Sequence, residues 1–499
     1  MGESPTIGEP DGDGLAEGFL FGVATAGFQI EGGYNGPGQP ANNWLAWEQV
    51  GRVEPSGDAV GFWDRPEEAL DRAAGMGCNS FRLGVEWARV VPDQLGVDRA
   101  ALDRYANIVT CCIDRGLEPL VTLHHFTHPA WLGEDLWLRP DAPDRYRSWV
   151  EVVVDALASS VRYWVTINEI NALAIGSWLL GMFPPGRLLA FVDVAVAVDN
   201  LLAAHVAGYE IIHRVRADAV VTTNNTCLSV YEHDRMLTDL LLARSMGIDR
   251  GDVSGWLAER RRQHDSLLPP VGAVEHLVRR FSAARSPYGA TSGIGAARGG
   301  QQSHWLPRRA VDAVYDSPHQ CTLDALGLDY YDPMVGHALR LPGHQTAGGR
   351  SHLPTRELWD DVPDATGLTR WLQVQRSLAP GIPIWVVENG LCNRVRNGRS
   401  YARLDGWDRP RYLRENIAAV LAAIDDGVPI QGYWHWSLVD NYEWGSYEPR
   451  FGLHGVDRHR GEHGMRWLET DAMGDDAAGA YRRIIDGLRA GDRSVLEPD

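Results

Sequence analysis

The chain of 499 residues contains no lysine; all 47 of its basic residues are arginine. A bias toward arginine codons accounts for the absence, but the chemical exclusions hold whatever its cause. Without a lysine amine no side chain can form a Schiff base, which removes aldolases of that type and pyridoxal-phosphate enzymes. A Walker A loop and a protein-kinase site both lack their lysine. Basic charge is also scarce relative to acidic charge. The net charge of −19 leaves no basic stripe for nucleic acid and disfavours anionic lipid. Cysteine is sparse: Cys78, Cys111, Cys112, Cys227, Cys321 and Cys392 form no CxxC pair, so zinc-ribbon and thioredoxin spacings are missing and the usage fits a reducing compartment. Residues 1–18 lack a basic segment followed by an apolar one, so no secretory signal is expected and the reading is cytoplasmic. No uninterrupted apolar run is long enough to cross a membrane. The longest, Leu188–Ala207, is broken by Asp193 and Asp199 and reads as an amphipathic helix.

What remains is an ordinary globular composition, 44% hydrophobic and 23% charged, with 54 glycines and 19 tryptophans. Eight short apolar runs closed by polar residues read as strands: Phe19–Ala26, Ser80–Trp87, Glu118–Phe126, Tyr163–Glu169, Val220–Leu228, Ala325–Tyr331, Pro383–Gly390 and Gly432–Val439. Helical patterns lie between them, at Pro66–Met76, Asp144–Leu157 and Arg411–Ile424 among others. Alternating strands and helices imply a parallel sheet, and eight units imply a single (β/α)8 TIM barrel with loop insertions at its C-terminal face. Residues 1–14 read as a disordered extension and 15–490 as the catalytic domain. An insertion at about 229–324 contains a Gly/Ser/Ala/Arg-rich loop at Ser282–Ser303. Gly293-Ile-Gly295 follows no strand and lacks a third glycine, so it is not read as a cofactor loop.

Chemistry is expected where the strands end, because barrel active sites are built at that face. The fourth strand ends in Asn168-Glu169 and the seventh in Glu388-Asn389. Two carboxylates at matching strand ends are the equipment of glycoside hydrolysis, one donating a proton to the leaving oxygen and the other attacking carbon or activating water. The other strand ends add Gln29 and Glu31, Arg82 and Glu86, His124-His125, and Asp440, Asn441, Glu443 and Trp444. These groups suit an uncharged polyhydroxylated ligand. His124, His125 and His128 are possible metal ligands, but no HExxH helix accompanies them, and no metal is assigned.

These residues carry a resemblance. Gly22-Val23-Ala24-Thr25-Ala26 with Gln29-Ile30-Glu31-Gly32, Thr166-Ile167-Asn168-Glu169, Glu388-Asn389-Gly390, Trp436-Ser437-Leu438, Asp440-Asn441 with Glu443-Trp444, and Arg450-Phe451-Gly452-Leu453 follow, in order, the motifs of glycoside hydrolase family 1, the β-glucosidase family. The resemblance implies a retaining β-glycosidase, most simply a β-glucosidase, acting on a small-molecule β-glycoside without metal or organic cofactor. It implies Glu388 as nucleophile and Glu169 as general acid/base, Asn168 on the 2-hydroxyl, and Arg82 and Tyr331 holding Glu388 charged and oriented. Gln29, His125, Glu443, Trp444 and Phe451 would contact the sugar, with Trp436 as its stacking floor. Trp178 and Trp359 would lie on the aglycone side. Retaining chemistry implies carboxyl groups about 5–5.5 Å apart. Transfer of the sugar to an acceptor other than water, or a carbohydrate-binding barrel without catalysis, are the alternative readings.

Four positions depart from the family pattern. Phe126 stands where tryptophan is usual, Ile167 and Ile170 replace phenylalanine and proline beside the acid/base, and Asp329 stands where asparagine is usual. A glutamine in place of Glu169, the mark of a thioglucosidase, and a serine in place of Glu443, the mark of a phospho-sugar enzyme, are both absent.

Overall fold

The computed structural model describes residues 15, 18–228, 230–268, 307–331, 363–396, 399–403, 405–458 and 465–497. Nine parallel strand segments form one sheet. They are β1 (Leu20–Ala24), β2 (Ser80–Gly84), β3 (Glu118–Thr122), β4 (Tyr163–Val165), β5 (Val220–Thr222), β6 (Asn224–Thr226), β7 (Leu326–Tyr330), β8 (Ile384–Asn389) and β9 (Ile430–Trp436). Their order is β5-β4-β3-β2-β1-β9-β8-β7-β6. Because β5 and β6 are separated only by Thr223, the two ends of the sheet are consecutive stretches of one strand, and the sheet closes into a (β/α)8 TIM barrel.

The helices lie where the alternation places them. They are α1 (Pro66–Gly75), α2 (Arg99–Ile113), α3 (Ala142–Leu157), α4 (Phe191–Val215), α5 (Arg235–Leu242), α6 (Val253–Leu267), α7 (Arg308–Asp316), α8 (Ala365–Leu378), α9 (Arg409–Asp425) and α10 (Ala477–Arg489). Two of the expected helices begin two residues early. Pro143 and Pro410 sit in the first turn, where a missing N–H costs nothing. In α9 the side chain of Asp408 also accepts from the Arg411 N–H at 2.7 Å. The long apolar run is α4, a core helix: 72% of its most apolar window is buried. Its Asp199 accepts from the Ala310 N–H at 2.9 Å and so caps α7.

All eight expected strands are present, with two differences. Most lose their last residues from the ladder; β4 ends at Val165, so Asn168 and Glu169 are free to point into the pocket. The fifth is split because its hydroxyls replace strand pairing: Thr222 Oγ donates to the Ala325 carbonyl at 2.7 Å and Thr223 Oγ to the Ile167 carbonyl at 2.7 Å.

Inside the barrel, Leu20, Ala24, Leu120, Val165, Ala325, Trp385 and Trp434 form one cluster. Alternate residues such as Phe81, Leu83, Ile384 and Val386 belong to the larger cluster under the helices, the two-faced burial of a parallel barrel. Trp434 fills the lumen over Gly22, where an added Cβ would sit 2.3 Å from the indole.

Within the segment expected as an insertion, α5 and α6 are tied by Arg235 and Arg260. Both guanidiniums meet the buried Asp239 carboxylate, at 2.9 and 2.8 Å. The expected N-terminal extension 1–14, the Ser282–Ser303 loop with its Gly293–Gly295 piece, and Trp359 lie outside the described residues.

Candidate active site

Glu388 is the penultimate residue of β8. Between the pairs Leu328/Val386 and Asp329/Glu388, β8 carries one residue more than β7. This bulge re-aims the strand end, a common device beside active sites, and sets Glu388 directly opposite Asp329. The following Gly390 is required by packing: a Cβ there would lie 2.0 Å from the Trp436 carbonyl oxygen.

Glu388 is 3% exposed and doubly held. Arg82, from β2 and fully buried, donates Nη1 to Oε1. The Tyr331 hydroxyl donates to Oε2 at 2.5 Å. Burial, and then the charge of Glu388, raise the Tyr331 phenol well above its ordinary value, so it stays a donor. Arg82 also donates Nη2 to Asn168 Oδ1 and Nε to Thr122 Oγ1, the latter at 3.0 Å. One planar guanidinium thus fixes the two functional strand ends relative to each other.

Glu169 follows β4 in a left-handed backbone conformation, with φ of 38°, an uncommon state for a non-glycine residue and one that gathers at functional sites. One carboxylate oxygen each from Glu169, Asp329 and Glu388 lie within 4.8 Å of one another, all buried. At an effective dielectric of about 20, like charges at that range repel by roughly 3–4 kcal/mol, so the three are not all ionised near neutral pH. Their environments divide them. Glu388 has the Arg82 cation in contact. Among the described residues no cation touches Glu169, and burial first, then the charge of Glu388, raise its carboxyl well above the ordinary range. Three such oxygens are also a donor set for a divalent cation, but Arg82 already neutralises the Glu388 edge of the cluster.

The remaining predicted groups gather around this centre. His125 shares a hydrogen bond with Asn168 through Nε2 at 3.2 Å. Burial, and secondarily Arg82, push its imidazole well below the usual histidine value, so it is neutral. Its ring lies nearly parallel to those of Trp436 and Trp444, with centroids 5.8 and 5.5 Å away. Trp436 donates its indole N–H to Glu443 Oε1 at 3.0 Å, and Gln29 donates Nε2 to Glu443 Oε2 at 3.1 Å. Glu443 is pushed up to about 8, mainly by burial and less by the charge of Glu388. Phe451 lies edge-on to Tyr331 at 5.9 Å. Phe126 packs on Trp444 at 4.9 Å, which leaves that part of the floor without an indole donor.

Not every predicted residue joins the site. Trp178 is 1% exposed and belongs to the main hydrophobic core, so packing replaces the expected place on the aglycone side. The other histidines of the run do not converge on a metal position: His128 Nε2 meets the Gly133 carbonyl at 3.0 Å. One residue was missed. Asn224 of β6 donates to Asn168 Oδ1 at 2.7 Å and to Asp329 Oδ2, bracing the site from below. Its signal was available, since the polar run Thr222–Thr226 ends an apolar strand in the same way as the other strand ends.

A parallel barrel whose C-terminal strand ends bring together paired buried carboxylates, hydrogen-bonding side chains and aromatic rings defines the class of barrel enzymes that cleave glycosides. The chain belongs to glycosyl hydrolase family 1, whose model matches residues 12–249 and 319–469, and it is a glycoside hydrolase with β-glycosidase activity. A 1,4-β-D-glucan glucohydrolase of Thermotoga neapolitana is 27% identical over 459 residues, covering 88% of this chain and 97% of that protein. A 6-phospho-beta-galactosidase 1 of Streptococcus pneumoniae is also 27% identical, covering 92% and 97%. The structure of the Thermotoga maritima β-glucosidase in complex with deoxynojirimycin is similar in fold, with a TM-score of 0.71 at 22% identity, over 95% of this chain and 99% of that one.

Proposed function

We propose that the chain is a retaining β-glucosidase of the cytoplasm. The observation that carries this reading is the pair Glu169 and Glu388. The two carboxyl groups are buried with oxygens within 4.8 Å, close to the spacing of about 5–5.5 Å used in retention and well short of the roughly 6.5–9.5 Å that admits a water for inversion. Their environments differ in the sense the mechanism needs.

Glu388, charged against Arg82 and aligned by the Tyr331 hydroxyl, attacks the anomeric carbon. Glu169, protonated by its environment, donates to the glycosidic oxygen as that bond breaks. Asn168, fixed by Arg82 and Asn224, binds the 2-hydroxyl. Water then enters, Glu169 takes its proton, and the ester to Glu388 is cleaved with net retention. Trp436 and Trp444 form the sugar floor, while Gln29, Glu443 and neutral His125 bind hydroxyls. Glu443 also favours an unphosphorylated sugar, because its oxygens are held by the Trp436 indole and the Gln29 amide and it offers no cation to a phosphate. Six scattered cysteines with no CxxC pair suit a reducing compartment. The chemistry draws on side chains alone.

The test is a panel of aryl β-glycosides differing only in the sugar, followed by proton NMR of the first product. The expectation is highest kcat/KM on the glucoside with the β-anomer released first. Preference for a 6-phosphorylated or non-glucose sugar would overturn the substrate assignment, and first release of the α-anomer would overturn retention.

A further inference from the structure

Three carboxyl groups meet in the pocket, and the mechanism above uses two. The third, Asp329, is completely buried. Its Oδ2 accepts from Asn224, whereas its Oδ1 has no N–H or O–H donor. Its carboxyl neighbours are Glu169 and Glu388: one oxygen of each of the three lies within 4.8 Å of the others, all buried, and the β8 bulge holds Asp329 across from Glu388. Two buried carboxyl groups this close are relieved of mutual repulsion by one proton between them. We propose that Asp329 and Glu169 hold one proton in common, making Asp329 a positioning residue that keeps that proton at the acid/base. The inference rests on the catalytic roles proposed above.

The surroundings support a shared proton. Burial first, and the charge of Glu388 next, raise Asp329 well above the ordinary carboxylate range. The charged or titratable groups facing the pair are Glu388 from β8, Arg82 from β2 and Tyr331 beyond β7. His125, one shell out, is neutral. From β6 come only the neutral Asn224 and Thr226. Arg82 spends its contacts on Glu388, Asn168 and Thr122, leaving the pair to satisfy itself with a proton.

The proton balance closes over the cycle. As the glycosidic bond breaks, Glu169 passes the proton to the leaving oxygen and a Glu388 oxygen forms its bond to carbon. Glu388 thereby loses its negative charge, which makes room for Asp329 and Glu169 both to be ionised. Water then bonds to the anomeric carbon and the ester electron pair returns to Glu388. The water's proton goes to Glu169, which restores the shared state.

The test is the pH profile of kcat/KM for wild type and Asp329→Asn on two aryl β-glucosides, one with a nitrophenolate leaving group and one with a far poorer phenolate. In a carboxyl pair the second proton is held more tightly than by a lone group. The alkaline limb of the variant should therefore move down by about one pH unit or more. The variant should also lose about 10–100-fold more on the poor leaving group, which depends on proton donation. An unmoved limb, or equal losses on both substrates, overturns the inference; a structural role alone predicts the latter. Asp329→Ala, which places no new donor against Asn224, reads the same limb if the Asn variant does not fold. Should Glu388→Gln retain wild-type turnover, the proposed function falls; should it be inactive while the Asp329→Asn limb stays fixed, this inference alone falls.

Discussion

Arg82 carries more of the site than any other single side chain. It neutralises Glu388, orients Asn168 and binds Thr122, all from inside the barrel wall. Replacing it with methionine leaves the Glu388 carboxylate buried without its counter-charge, at a cost of about 3–5 kcal/mol. The urea midpoint of Arg82→Met should fall accordingly and turnover should be lost. An unchanged midpoint would show that the ion pair is replaceable by water or by a neighbour. A second residue-scale expectation concerns Glu388→Gln, which removes the proposed nucleophile while keeping its shape. Turnover of an aryl β-glucoside should drop by at least about 10⁴-fold, and near wild-type rates would remove Glu388 from the reaction.

The elements show why some of this was legible in the sequence and some was not. Strand positions followed from apolar runs closed by polar residues, and the nearness of Glu169 and Glu388 followed from what closes them. The bulge in β8 was not legible: Val386-Val387-Glu388 reads as an unbroken strand, and only pairing against its neighbours β7 and β9 reveals the extra residue that sets Glu388 opposite Asp329. The split of the fifth strand was hidden for a similar reason, since Thr222 and Thr223 have strand propensity yet spend their hydroxyls on carbonyls of neighbouring strands. Trp178 misled because a tryptophan after a catalytic strand suits an entrance and a core equally, and burial decided it. Asp329 stood out as an unusual residue, but its nearness to Glu169 and Glu388 depends on three strand ends converging. At this scale Gly390→Ala is the sharpest probe. Its Cβ would meet a backbone carbonyl rather than a movable side chain, so β8 and β9 must separate. A loss of about 1–3 kcal/mol by urea unfolding, with a larger drop in kcat than the stability loss explains, is expected. Wild-type kcat would show that the spacing of these strand ends is not critical.

Across the whole molecule, buried ionisable groups set how stability depends on pH. Burial raises Glu86 to about 7 and Glu443 to about 8. Such groups bind more protons folded than unfolded, so their stabilisation is complete below the ordinary carboxylate value and is lost as pH rises through 7 to 8. Burial lowers His124 to about 3 and His205 to about 4. Those groups bind fewer protons folded than unfolded, so stability increases with pH up to about 6.5 and is flat beyond. Above about pH 6.5 only the carboxyl term is left. The urea midpoint should therefore fall between pH 6.5 and 8, and Glu443→Gln should flatten that fall; a midpoint that rises over this interval would contradict the burial account. The central claim is that one of three adjacent carboxylates becomes bonded to the sugar. The most direct measurement is intact-mass analysis and peptide mapping after incubation with a 2-deoxy-2-fluoro-β-glucoside bearing a dinitrophenolate leaving group. The account predicts a single fluoroglucosyl adduct on Glu388; an adduct on Glu169 or Asp329, or steady turnover with no adduct at all, would contradict it.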